Sequence, residues 1–335
     1  MTTPPTKPDG LTPEQLSTFN RDGYLVIPDA LPAATVQGLL AETRALLAGL
    51  DLSSHPLTRF STGDGGGDGD GDGRDHVGDA YFLGSGDKVR FFLEEDAFAD
   101  GALVRPKEQA VNKIGHCLHE LSEPFRRLLD SPEPNSSSSN TTAPTPTPAS
   151  IARSLAFADP RVLQSMVICK PAGTGGAVPP HQDSCFLYTS PPSAVGFWYA
   201  LEDAARENGC LWFLPGSHRR TAVERRLVRR VAGVADEEAG GTVMVGNEGA
   251  GFPRGEGYGV GGEGEEEEEG EYVPAEVKAG TLVLIHGNLL HKSEKNLGRK
   301  GRIIYTFHII EAEGTVYDER NWLQPPAGGF TRLYK

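Results

Sequence analysis

Apolar residues recur along this chain at two spacings. Leu16 and Phe19 share one face of a helix whose limits are written in the sequence: Thr12 as N-cap, Pro13 at the first helical position, Gln15 to complete a capping box, and Gly23 where the chain turns left-handed. A short strand, residues 24–27, follows. Val36, Leu39, Leu40, Thr43 and Leu47 fall at i, i+3, i+4 spacing and predict a second amphipathic helix from about Ala33. Residues 81–93 alternate and carry aromatics, which predicts a strand. Val111, Ile114, Leu118 and Leu121 predict a third helix over about 107–121, with His116 and His119 at polar positions of its face, and residues 151–157 read as helical.

From residue 162 onward the chain becomes a succession of short strands with turn punctuation, several of them apolar on both faces. Short strands are predicted at 162–170, at the His181-Gln182-Asp183 stretch, and at 195–202, 209–214, 275–278, 280–286 and 302–311, each bounded by turn residues. That spacing implies antiparallel packing in a mainly β fold with flanking helices, a closed or double-sheet jelly roll. Three low-complexity stretches interrupt it: a Gly/Asp loop at about 61–75, a Ser/Thr/Pro stretch at 133–148 and a Gly/Glu stretch at 233–271. The organisation is therefore read as one domain over 11–335 with three insertions that loop out without disturbing the roll. The Gly/Asp loop mimics an EF-hand through Asp68, Asp70, Asp72, Gly73 and Asp79, but no apolar helix precedes it and its glycines make closure around calcium entropically expensive.

Composition narrows the function. The formal charge of −14 argues against nucleic-acid and anionic-membrane partners, although seven glutamates of that balance lie within Glu263 to Glu271. Cys117, Cys169, Cys185 and Cys210 form no CxxC pair and sit in apolar runs, as reduced thiols do. The opening residues show no apolar signal region and no later run reaches membrane-span length, so a cytoplasmic protein is expected. No protein partner is implied.

The candidate chemistry centres on His181-Gln182-Asp183. On a strand the first and third side chains share a face. An imidazole and a carboxylate, joined by a second histidine, form the 2-His-1-carboxylate set of non-haem Fe(II) sites. His286, His291, His308 and His218 are candidates for the third position. His218, in a ProGlySerHis turn, reads as a turn residue, and His308, inside an apolar strand, as a core histidine or a partner behind the ligands. His291 is preferred because Arg302 lies eleven residues on, across a Gly- and Lys-rich turn, so the two can meet across an antiparallel pair. A guanidinium on a buried strand needs an anion, and a dicarboxylate supplies one in bidentate geometry. Ser293, two residues beyond His291, shares its face. The same donor set suits a zinc hydrolase, but Arg302 with Ser293 tells against one. A metal- and 2-oxoglutarate-binding sensor without turnover is the alternative to an enzyme.

PPHQDSCFLY, GFWYALEDAARENGCLWFLPGSH, LVLIHGNLLHKSEKN, GRIIYTFHIIE and NWLQP together resemble the phytanoyl-CoA dioxygenase family, over nearly the whole chain outside the three insertions. The resemblance implies a double-stranded β-helix of the jelly-roll, cupin-like kind, with Fe(II) held by His181, Asp183 and His291. It implies 2-oxoglutarate as cosubstrate held by Arg302 and Ser293 beside Trp198, with Lys113 and Met166 at cosubstrate-contacting positions, and ascorbate as a candidate reductant. Without it, Lys113 reads as a solvated helix lysine and Met166 as core. The activity implied is a dioxygenase that hydroxylates a small organic substrate and releases succinate and CO2; Asp183 sets it apart from halogenases, which carry a small residue there. The one basic cluster near the motifs, Arg219-Arg220 with Arg225, Arg226, Arg229 and Arg230, serves equally as a solvated helix face, so the sequence gives no support for an acyl-CoA substrate.

Overall fold

The structure, a computed structural model, describes residues 10–59, 79–130, 146–230, 241–259 and 271–334. Its first helix, Pro13–Asp22, starts and stops where the residues require. The Thr12 hydroxyl accepts from the Gln15 amide at 3.1 Å, the Gln15 side chain accepts from the Thr12 amide at 2.9 Å, and Gly23 takes φ 82°. Ala33–Gly49 follows as the second helix and turns Val36, Leu39, Thr43 and Leu47 inward.

Two antiparallel sheets form the core, and neither closes on itself. The large sheet runs in spatial order Tyr24–Ile27, Leu282–His286, Val195–Ala200, Arg302–Glu311, Pro160–Lys170, Val111–His116, Val89–Leu93, and Thr331–Arg332 also pairs with Pro160–Lys170. The small sheet runs Val273–Ala275, Leu211–Phe213, His291–Ser293, Val178–His181. This is the jelly-roll architecture that the succession of short strands and turns predicts, and the double-stranded β-helix that the family resemblance implies.

Both faces of the large sheet are covered, which is why its strands read as nearly continuous apolar runs. On Arg302–Glu311, Tyr305, Phe307 and Ile309 pack with Phe197, Tyr199 and Leu284 in the core that also takes the helix residues Phe19, Val36 and Leu39. The alternate residues point the other way, where Ile304, Trp198, Val283 and Ile285 meet Leu211 and Phe213 of the small sheet. Arg302, Thr306 and His308 share that second face, so the alternation of one strand carries polar groups into the space between the sheets.

Three predicted strands and helices differ. Residues 107–121 do not form one helix: a single turn Lys107–Ala110 leads into the strand Val111–His116, and a second turn covers Leu118–Leu121. All six strand residues are buried, so the helical spacing of Val111 and Ile114 reflected burial on both faces. Partners on either side, together with a β-branched residue and Gly115 that are poor helix formers, decide for strand. Residues 81–93 split into a turn Ala80–Leu83, capped by Asp79 accepting from the Phe82 amide at 2.6 Å, and the strand Val89–Leu93. The strand Val178–His181 stops before Asp183, which opens a 3-10 turn, Asp183–Cys185.

Within the third insertion, residues 242–246 pair with Arg225–Arg229, so the arginine cluster lies on a strand and not on a helix face. The Gly/Asp stretch 61–75, residues 133–145 of the second insertion and residues 233–240 and 260–270 of the third lie outside the described residues. Pro148, at the end of the second, begins the helix Pro148–Ser154. Cys117, Cys169, Cys185 and Cys210 are free thiols. No helix among the described residues is long and apolar enough to cross a membrane.

Candidate metal centre

His181 and His291 are Cα partners on neighbouring strands of the small sheet. Cross-strand partners on one face lie close together, and their ring centroids are 4.2 Å apart. Asp183 reaches the same point from the turn after His181, with Oδ1 3.6 Å from His181 Nε2 and 3.8 Å from His291 Nε2. One ligand atom from each of the three lies within 4.8 Å of the others. Gln182, between them, points away and donates to the carbonyls of Asn288 at 2.7 Å and Thr221 at 3.0 Å, which anchors the turn.

The donor chemistry fits a divalent metal. His181 Nδ1 faces the Pro179 carbonyl at 2.9 Å and His291 Nδ1 faces the Leu289 carbonyl at 3.0 Å. A carbonyl can only accept, so each Nδ1 carries the proton and each Nε2 presents a lone pair. Burial, and then His181, push His291 down to about 4, so its imidazole is neutral. Two lone pairs and a carboxylate oxygen facing one point repel unless a cation sits among them. Asp183 is held on its other oxygen by His308, whose Nε2 lies 3.1 Å from Oδ2. Burial raises the Asp183 carboxyl, but His308 and His291 outweigh it and hold it well below the usual carboxylate range. Gly196 permits the approach, since a Cβ there would stand 3.3 Å from His308 Nε2 and 3.4 Å from Asp183 Oδ2.

Behind this cluster lies a cavity of about 380 Å³ between the sheets. Arg302, Ser293, Trp198, Lys113 and Met166 all line it together with His181, Asp183 and His291. Arg302 is 2 % exposed; its Nη1 donates to the Gly209 carbonyl at 2.6 Å, its guanidinium carbon sits 5.5 Å from the Trp198 ring centroid, and its Nε has no partner. Burial brings it down to about 10. Lys113 is buried and comes down to about 7, with Glu94 and Asp183 opposing the shift. The cation-bearing end therefore holds the parts of an anion site.

Three readings need correction. Arg302 and His291 do not meet across an antiparallel pair: Arg302 pairs with Lys170 in the large sheet, and His291 pairs with His181 and Phe213 in the small one. They share a cavity because the two inner faces are opposed. Lys113 is not a solvated helix lysine but a strand residue of the cavity wall. His116 and His119 are not surface positions either; they are 1 % and 3 % exposed, and His116 lines the cavity.

His218 and His286 stay outside the cluster. Their rings pack at a tilt of 50° with centroids 4.8 Å apart, and His218 Nε2 lies 3.2 Å from the Asn20 carbonyl. The sequence reading passed over Lys170 and Gln164. Both follow from period two once Met166 is placed inward, since Gln164, Met166, Ile168 and Lys170 alternate on one face. Lys170 donates to the carbonyls of Glu294 at 2.6 Å and Gly176 at 2.7 Å, which ties the large sheet to the segments flanking His291–Ser293 and Val178–His181 of the small one.

A double-stranded β-helix with a His-Asp-His donor set at the mouth of an inter-sheet cavity defines the class. The chain belongs to the phytanoyl-CoA dioxygenase family, whose profile, "Phytanoyl-CoA dioxygenase (PhyH)", matches residues 19–304. It is 40 % identical to phytanoyl-CoA dioxygenase domain-containing protein 1 of Bos taurus over 327 residues, 97 % of this chain and 99 % of that one. In fold it is similar to EctD from S. alaskensis, with TM-score 0.55 and 18 % identity over 97 % of this chain and 85 % of that chain. It is also similar to the epimerase SnoN, solved with Fe3+, alpha ketoglutarate and nogalamycin RO, with TM-score 0.53 and 20 % identity over 96 % of this chain and 92 % of that chain.

Proposed function

We propose that this protein is an Fe(II)- and 2-oxoglutarate-dependent dioxygenase that hydroxylates a small organic substrate. One observation carries the reading: a His-Asp-His set within 4.8 Å and a buried guanidinium with an unpartnered Nε line one cavity. Membership of the family and the iron and oxoacid bound by SnoN support it. His181, Asp183 and His291 would hold the metal through Nε2, Oδ1 and Nε2. With iron and 2-oxoglutarate bound, the chemistry supplied is oxidative decarboxylation to succinate and CO2, coupled to insertion of an oxygen atom into a substrate C–H bond.

The chain's own residues do the rest. Arg302 and Ser293 receive the distal carboxylate, and a charge-assisted pair in this dry site is stronger than in water. Lys113 adds positive charge beside it, while Trp198 and Met166 exclude water from the oxoacid's carbon chain. His308 fixes the rotamer of Asp183 by holding Oδ2, which leaves Oδ1 for the metal. The protein is assayed after anaerobic loading with Fe(II) and exposure to air. Succinate formation and oxygen uptake above an Asp183→Ala control are expected, and their absence points to a sensor without turnover.

A further inference from the structure

The cavity continues past the metal cluster, away from Arg302, and its far end has a different character. Phe82, Phe186, Leu187, Leu227 and Trp322 line it, all belonging to an apolar cluster separate from the two that build the roll. Phe82 and Trp322 stack at 4.4 Å, and Phe186 stands edge-on to the ring of the metal-site His181 at 5.8 Å. Three segments outside the roll supply most of this wall, and Arg229 fastens them. Its Nε donates to the Trp322 carbonyl at 2.6 Å, its Nη2 to the Leu83 carbonyl at 3.2 Å, and its backbone amide to the Arg320 carbonyl at 2.8 Å. The wall is thus held as a fixed surface.

Two polar groups break that apolar lining. Gln164, 5 % exposed, carries a buried Oε1 with no partner. His116, 1 % exposed, has Nδ1 2.7 Å from Ser85 Oγ, and that hydroxyl gives its own proton to the Phe82 carbonyl at 2.5 Å. The Ser85 oxygen therefore accepts from His116 Nδ1, and the imidazole, kept neutral by burial, has its lone pair on Nε2. A buried acceptor without a donor has lost its water and gained nothing in return. A bound molecule with a hydrogen-bond donor relieves that cost, and one without a donor does not.

Charge decides what else can enter. Among the described residues the cavity's other carboxylates belong toward the Lys170 end, where Glu94 accepts from the Gly176 amide at 3.1 Å and Asp96 pairs with Lys295, so a buried cation at this end has only Asp183, which the metal site uses, and meets Lys113 nearby. A carboxylate would face two acceptor lone pairs. A CoA thioester fails on size and on charge. About 380 Å³ has to serve cosubstrate and substrate together, which is near the lower end for ligand pockets. At the rim, Lys295 is paired with Asp96 at 2.9 Å and Lys292 with Glu294 at 2.9 Å. Arg226 is committed to Asp318 and Arg229 to backbone carbonyls, so these cations are engaged within the protein and not set out for phosphates.

We infer that the far end of the cavity is a substrate chamber for a small uncharged molecule with an aromatic or aliphatic body and one hydroxyl, whose proton Gln164 Oε1 accepts, with His116 Nε2 the alternative acceptor, while Phe82, Phe186 and Trp322 pack on the body. This rests on the dioxygenase reading for its consequence, oxidation of that molecule, but not for binding itself. Gln164 is the specificity-determining residue, since its amide oxygen can be replaced at nearly constant shape.

Four probes sharing one body test it: 3-phenyl-1-propanol, 3-phenylpropanoate, 3-phenylpropylammonium and 3-phenylpropanoyl-CoA. Binding is read by thermal shift and calorimetry on metal-free protein, and stimulation of 2-oxoglutarate consumption is read on iron-loaded protein. The alcohol is expected to bind at least tenfold more tightly than the other three. Gln164→Leu should weaken the alcohol by about three- to tenfold, the loss of one hydrogen bond, and Gln164→Glu should move the preference to the ammonium probe. Equal or tighter binding of the carboxylate or the thioester, unchanged alcohol binding in Gln164→Leu, or no binding by any probe would overturn the assignment. Alcohol binding without 2-oxoglutarate turnover keeps the chamber and overturns the dioxygenase, while turnover stimulated only by the carboxylate does the reverse.

Discussion

The two ends of the cavity are built by different means. At the oxoacid end, Arg302, Lys170, Trp198, Met166 and Ser293 sit on strands of the roll, their inward direction set by the alternation of those strands. At the far end, Phe82, Leu227 and Trp322 come from a short turn, a hairpin partly drawn from an insertion, and the segment after the last long strand, and Arg229 clamps them together. One end is part of the scaffold. The other is attached to it, so the recognition proposed for the oxoacid and that proposed for the substrate can vary separately.

The strongest way to break this contrast is to open the far wall. Phe82→Ala removes a ring that is 4 % exposed and stacked on Trp322, and should cost about 3–5 kcal/mol in urea unfolding. The affinity for 2-oxoglutarate should stay within about twofold, because no ladder hydrogen bond of the roll is touched. A parallel loss of oxoacid binding would show that the ends are one unit. Arg302→Met inverts the pattern. Removing a charged hydrogen-bond partner of the oxoacid should weaken its binding by about 10- to 100-fold. Stability should hold or rise, since the buried guanidinium without a ligand has an unpartnered Nε.

A smaller effect probes the join between the ends. His308→Leu leaves the three candidate ligands in place but frees Asp183 Oδ2, and metal affinity by titration should fall about 10- to 100-fold with the fold intact.

A change of conditions, without any substitution, reads the same contrast through pH. His116 and His119 are neutral when folded, with His119 down to about 4 and His116 well below its usual value, in both cases by burial. The unfolded chain therefore binds more protons than the native one below about pH 6.5, and stability falls as pH drops from there toward 4, by up to about 1.4 kcal/mol per unit for each histidine. Lys113 and Lys170, brought down to about 7 by burial, lie at the other end. Their positive charge is present below that value and lost above it, so oxoacid affinity should decline as pH rises through about 7 to 8. Acid thus weakens the wall and alkali the anion site. Identical pH dependence of unfolding and of 2-oxoglutarate binding would contradict this division.

Legibility in the sequence follows the same line. The roll could be read because its short apolar strands are separated by turn residues, and the first helix because it is fully capped. The grouping of His181, Asp183 and His291 was reached partly on grounds the fold does not keep: Asp183 lies on a turn beyond the strand, and His291 shares a cavity with Arg302, not a strand pair. The strand Val111–His116 could not be read, since burial on both faces leaves apolar residues at helical as well as strand spacings. That error hid Lys113 and His116 on a supposed helix face. The far wall had no local signal, because Phe82, Leu227 and Trp322 are distant in sequence and meet only through Arg229 and the stacked rings. His308 was left open between core and support, and only the 3.1 Å contact with Asp183 selects support.

The most direct measurement is succinate formed from 2-oxoglutarate by the protein loaded anaerobically with Fe(II) and then given air, beside Asp183→Ala and Arg302→Met. The account predicts succinate and CO2 in equal amounts from the native chain, at least a hundredfold less from Asp183→Ala, and recovery of Arg302→Met at raised 2-oxoglutarate. Equal succinate from native protein and Asp183→Ala, or none from either, would contradict it.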